Sequence, residues 1–189
     1  MATLKDIERV FGCEINAIDT PPFTTTLPDN GTVTLCSITV PTRRDAYLVR
    51  AVINWSVTFT PIIPAIGLVI LSTPGFAQAQ FEILKDGGPI ARVTQSLGQL
   101  GFTIGDIFNT EASNFGVATL QVLDTTSVSG VSNELATFEV RATNIILTAP
   151  LSVNGTTIIP LGDIVSAVGS VSLVVEQVEA SCREEEQTA

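Results

Sequence analysis

A chain of 189 residues with a formal net charge of −10, nineteen carboxylates against nine lysines and arginines, repels phosphate backbones, which excludes nucleic acid as a partner. Histidine is absent, and with it go Ser-His and Cys-His nucleophile pairs, imidazole metal sites and imidazole acid–base chemistry. Only 15% of the residues are charged against 45% hydrophobic, so apolar surface must be covered either inside a well-filled core under a Thr/Ser/Gln surface or against neighbouring subunits.

The opening MATLKDIERVFG mixes acids with bases and lacks the apolar stretch of a secretory signal, so either a signal has been trimmed or the protein is made in the cytosol, and the second is expected. Thr3, with Asp6 three residues on, reads as the cap of a short amphipathic helix that carries Leu4, Ile7 and Phe11 on one face and stops at Gly12. From Pro21 onward the chain turns to short β-branched runs broken by Gly, Pro, Asn and Asp. GTVTLCSITV is the first candidate strand, with Thr32, Thr34 and Cys36 on its more polar face, which would turn the thiol outward. AYLVRAVINWSVTFT follows with strict alternation: Tyr47, Val49, Ala51, Ile53, Trp55, Val57 and Phe59 form one face.

PIIPAIGLVIL, from Pro61 to Leu71, is the most apolar stretch, but it carries two prolines and falls short of the roughly 18 residues a spanning helix needs. No membrane span is expected. In AQAQFEIL, Ala77, Ala79, Phe81 and Ile83 point inward; Asp86-Gly87-Gly88 then turns the chain into IARVT, a hairpin. FGVATLQVL is a further strand, and ELATFEVRAT sets Ala136, Phe138, Val140 and Ala142 against Thr137, Glu139, Arg141 and Thr143. LSVNGTTII contains the Asn154-Gly155 signal of a type I′ turn. GDIVSAVGS makes at most one helical turn before the strand VSLVVEQVE. About eight to ten strands at this spacing, with no long helical pattern between them, predict an all-β jelly-roll sandwich of antiparallel strands. The expected division is residues 1–22 as N-terminal helix and connector, 23–180 as sandwich, and 181–189 as an acidic tail.

Catalytic groups are scarce. Glu82, Glu139 and Glu176 lie on strands, and a paired-carboxylate hydrolase is the chemistry they would serve. Outward strand carboxylates are usually solvated, and one Trp and one Tyr make few platforms for a sugar, so no catalytic residue is assigned. Asp86, Asp106, Asp124 and Asp163 sit near turns without EF-hand spacing and read as turn formers; no metal and no cofactor are expected. The Asn30, Asn54 and Asn154 N-x-S/T triplets read as having no role, and Lys85 and Arg43-Arg44 as solvated loop charges.

Three cysteines, Cys13, Cys36 and Cys182, are spread over the chain without the close spacing of a thiolate metal site. An odd number favours intermolecular pairing or a free thiol in an oxidising setting. The alternative is that Cys36 is a small buried hydrophobe and the other two are idle.

RAVINWSVTFT, FEILKDGGPIARVT, ATFEVRATNIILTAP and VSLVVEQVE resemble the strands of tumour-necrosis-factor-like jelly rolls and of the related sandwiches of bacterial spore surfaces, the exosporium proteins and endospore-appendage subunits. The resemblance runs roughly from Gly31 to Glu179. It implies a structural protein at a spore or cell surface, made in the mother cell without a signal, whose partners are copies of itself. In appendage subunits an N-terminal extension carries cysteines that bond to strand cysteines of neighbours, which implies Cys13, Cys36 and Cys182 as intersubunit disulfide candidates. The sequence departs from that pattern in having no adjacent cysteine pair and in opening with an expected helix.

An open double sheet leaves edges to be covered. The leader from Met1 to Asp19, with the Pro21-Pro22 break and FTTTL after it, is expected to reach a neighbour and add a strand to its sheet, with Leu4, Ile7, Phe11 and Phe23 in contact. The expected function is a self-assembling subunit of a fibre, spore appendage or surface layer. A trimeric recognition head or phage decoration protein is the alternative, and a jelly-roll glycosidase or lectin the more distant one.

Overall fold

The computed structural model describes residues 3–15, 25–42, 46–61, 72–73, 75–98, 112–125, 135–149, 151–154, 157–160 and 162–181. These residues form strands β1 (Thr3–Ile15), β2 (Thr25–Leu27), β3 (Val33–Pro41), β4 (Ala46–Pro61), β5 (Ser72–Thr73), β6 (Phe76–Lys85), β7 (Gly88–Gly98), β8 (Ala112–Asp124), β9 (Leu135–Thr148), β10 (Leu151–Asn154), β11 (Thr157–Pro160) and β12 (Gly162–Ser181).

Two antiparallel sheets make a sandwich. The first has the order β1-β12-β4-β8, with β2 also pairing β12; the second has the order β3-β9-β6-β7. Of the long strands only β6 and β7 follow one another within a sheet, and every other connection crosses between sheets, the double-sheet arrangement of a jelly roll. The short strands β11, β10 and β5 form a separate ribbon, in which a β10–β11 hairpin is present but Asn154 stands opposite Thr157, not in the Val153–Thr156 register that a type I′ turn centred on Asn154-Gly155 requires. Gly155 lies outside the described residues.

The alternation in β4 does what its pattern dictates. Tyr47, Val49, Ala51, Ile53, Trp55, Val57 and Phe59 are all buried; β8 flanks them in continuous register, and β12 does so with one register shift between Val168 and Ser170. Ala77, Ala79, Phe81 and Ile83 of β6 and Ala136, Phe138, Val140 and Ala142 of β9 close the core from the other side. Trp55 meets Phe81 edge-on at 5.6 Å between centroids, a preferred aromatic geometry. The β6–β7 turn is type I′: Asp86 and Gly87 both have positive φ, 50° and 83°, which glycine tolerates without strain. Asp86 is also held by β9, since Thr137 N–H donates to Asp86 Oδ1 at 2.8 Å and Asp86 N–H donates to the Thr137 carbonyl at 2.9 Å.

Three local expectations are corrected. The N-terminal helix is a strand, with Phe11, Cys13 and Ile15 opposite Val175, Leu173 and Val171 of β12. Thr, Ile, Val, Phe and Gly are weak helix formers, and β12 has a long row of backbone groups to satisfy on that side. The segment GDIVSAVGS, read as one helical turn, continues β12 for the same reason. Cys36 points inward: a register shift between Thr34 and Cys36 reverses the parity of β3, so that Cys36 stands opposite Val140 and is 4% exposed.

Candidate functional site: two closed edges and two unlike faces

The two sheets are tied to each other along both sides of the sandwich. On one side Cys13 of β1 is bonded to Cys36 of β3, with 6.5 Å between their Cα atoms and 23 residues of separation. The two thiols expected to reach neighbouring subunits are thus partnered within the chain, and Cys182 lies outside the described residues. On the other side Gln95 of β7 reaches across to the first sheet. Its Oε1 accepts from the Trp55 indole N–H at 2.9 Å and its amide donates to the Val117 carbonyl of β8 at 2.8 Å. Asn114 adds a bond from its amide to the Gly98 carbonyl. The clasp needs Gly116: a Cβ there would stand 2.8 Å from Trp55 Nε1 and 3.0 Å from Leu97 Cδ2.

One end of the sandwich is locked by a buried ion pair. Lys85 Nζ stands 2.5 Å from Asp124 Oδ2, with side chains 8% and 4% exposed, and 5.7 Å from the centre of the Tyr47 ring. The Tyr47 hydroxyl donates to the Pro41 carbonyl at 3.0 Å, and its ring packs on Phe138. This corrects the reading of Lys85 as a solvated loop charge and of Asp124 as a turn former: the pair ties the β6–β7 hairpin to the end of β8. Asp163 is exposed, and Asp106 lies outside the described residues.

The strand carboxylates are each set against a guanidinium. Glu82 faces Arg92 at 3.5 Å and accepts from Gln80; Glu139 pairs with Arg141 at 3.0 Å and accepts from Thr34 at 2.8 Å. Glu176 lies on the opposite sheet, 3.4 Å from Arg50, and its Oε2 is buried with no hydrogen-bond partner among the described residues. Arg141 stands opposite Glu82 on neighbouring strands, so these acids do not flank an open space as a hydrolytic pair must.

The outer faces differ in kind. On the second sheet a net of side-chain bonds covers the surface: Thr32 with Thr143, Thr39 with Thr137, Asn144 to Gln80, Ser96 to Gln78, and the Glu82–Arg92 and Glu139–Arg141 ion pairs. On the first sheet the outward positions of β4, β8 and β12 include Val52, Phe115, Val117 and Val165, all exposed. Of the leader residues, Ile7 is exposed and Phe11 packs partly against the core; the side chain of Leu4 and all of Phe23 lie outside the described residues. Gln95 and Gly116 were not anticipated. A trace of Phe115 was available in FGVATLQVL, where Gly116, Ala118 and Leu120 are the inward set and put the phenylalanine on the other side.

No family model matches the chain, and no curated protein matches it. Among solved structures it is similar to the VP2 subviral particle of infectious bursal disease virus, at 14% identity over 90% of this chain and a TM-score of 0.35. It is also similar to a structure of the Gx strain of that virus, at 12% identity over 92% of this chain and a TM-score of 0.32. The chain spans 34% and 40% of the length of those two proteins. What assigns the fold is the strand order and register: an all-β sandwich of two antiparallel sheets.

Proposed function

We propose that the protein is a structural subunit that assembles with copies of itself into a fibre, spore appendage or surface layer outside the cell. The observation that carries this reading is the placement of β1. It is the edge strand of the first sheet, pairs with β12 on one side only among the described residues, and leaves Ile7 and Val10 in water. An apolar edge of this kind is a template for a further strand or a neighbour's surface. Ile7 and Phe11 lie on it, with Leu4 at its start, and we assign the contact to this leader together with Phe23.

A second reading, a closed trimeric head or decoration protein, draws support from the disulfide. With Cys13 and Cys36 bonded to each other, assembly through these two thiols is replaced by a non-covalent contact, which closes into a ring as readily as it extends. Negative-stain microscopy of the full chain, with and without reductant and alongside sizing, separates the readings. Filaments or sheets are expected; a discrete trimer favours the head, and a monomer at every concentration refutes both.

A further inference from the structure

The outer face of the first sheet has a block of outward positions without a single charge. Across β8, β4 and β12 the rows read Ser113, Thr58, Val165; then Phe115, Ser56, Ala167; then Val117, Asn54, Ser170; then Thr119, Val52, Ser172. In a chain of net charge −10, an uncharged block lets a like-charged copy approach at low electrostatic cost. The outer face of the second sheet carries Glu82, Arg92, Glu139 and Arg141 instead.

Four of the polar side chains in this block are already partnered with one another. Asn54 donates to Ser170 Oγ at 2.6 Å, and Thr58 and Ser113 share a bond of 3.0 Å, so covering them with another surface strands few donors or acceptors. The shape is a knob beside a bed: Phe115 stands 79% exposed, and the positions next to it across the sheet, Ser56 and Ala167, are small. With Val117, Val52 and Val165 at 55%, 39% and 49% exposed, the block offers roughly 300 Å² of apolar side chain. That is most of the ~450 Å² of apolar surface that one partner brings to a standard interface.

We infer that this face is a further contact surface for a second copy of the chain, with Phe115 of one copy set on the Ser56–Ala167–Ser170 bed of another. The inference rests on the self-assembly reading and adds a second contact surface to the β1 edge. Face-to-face packing also suits a sandwich whose β8 edge is occupied: the Val117 carbonyl there accepts from Gln95 of its own chain.

Sedimentation of the full chain against the Phe115→Ser/Val117→Thr double variant tests it, with Trp55 emission as the check on folding. Both side chains point into water, so the monomer fold is expected to persist, and association should weaken about 30-fold or more if Phe115 is a central anchor. Thr119→Arg, which places a charge in the block without touching the core, should do the same and serves if the double variant fails to fold. Gln78→Ala, on the opposite face, should leave association unchanged. If the parent associates and the double variant and Thr119→Arg associate equally well, the surface is wrong while self-assembly stands. A parent that stays monomeric overturns both.

Discussion

Gln95→Leu tests whether the clasp between β7 and β8 holds the sandwich shut. The side chains are similar in reach, so the substitution removes the bond from Trp55 Nε1 and the bond to the Val117 carbonyl while opening little space. Trp55 is 2% exposed, and an indole N–H that loses its acceptor in such a place costs about 1–3 kcal/mol. The Val117 carbonyl belongs to an exposed residue that water can reach, so its loss adds only about 0.5–1 kcal/mol. The expected total is about 1.5–4 kcal/mol. With a urea m-value of about 2 kcal/mol/M, the unfolding midpoint falls by about 0.75–2 M. The chain has one tryptophan, so its emission follows this site directly. A double-mutant cycle isolates the indole bond: with Trp55→Phe in place and circular dichroism as the probe, Gln95→Leu should cost about 1–3 kcal/mol less, because no indole N–H remains to lose its acceptor. A Gln95→Leu protein within about 0.5 kcal/mol of the parent, with unchanged emission, would refute the clasp.

Three further outcomes are expected. Replacing Cys13 and Cys36 together by serine removes a cross-link over 23 residues and should cost about 3 kcal/mol by loop entropy, read as a lower denaturation midpoint that reductant no longer shifts. Lys85→Met takes the ammonium away from buried Asp124 and should cost about 3 kcal/mol in thermal or urea unfolding, far more than the loss of a surface pair. Gly116→Ala forces a Cβ against Trp55 Nε1 and Leu97, and should cost about 1–3 kcal/mol and shift the tryptophan emission; equal stability would mean that β8 can move away from the indole at little cost.

The sequence by itself determined the strands whose signals are local. Period-two alternation buried the right face of β4, β6 and β9, and Asp86-Gly87 placed a type I′ turn, because side-chain parity and left-handed φ are properties of a few consecutive residues. Tertiary structure decided what depends on distant partners. The leader has a helix cap and an i, i+3 apolar pattern, yet it became β1 because β12, more than 150 residues away along the chain, offered a row of backbone groups to pair. Cys36 turned inward through a register shift that arises only against β9, and that turn brought it to Cys13. Lys85 found Asp124, and Gln95 found Trp55, across separations of 39 and 40 residues that no local pattern encodes. The outer face of the first sheet is likewise legible strand by strand as scattered Val, Phe, Ser and Thr. Only the register of β8, β4 and β12 gathers those residues into one uncharged block.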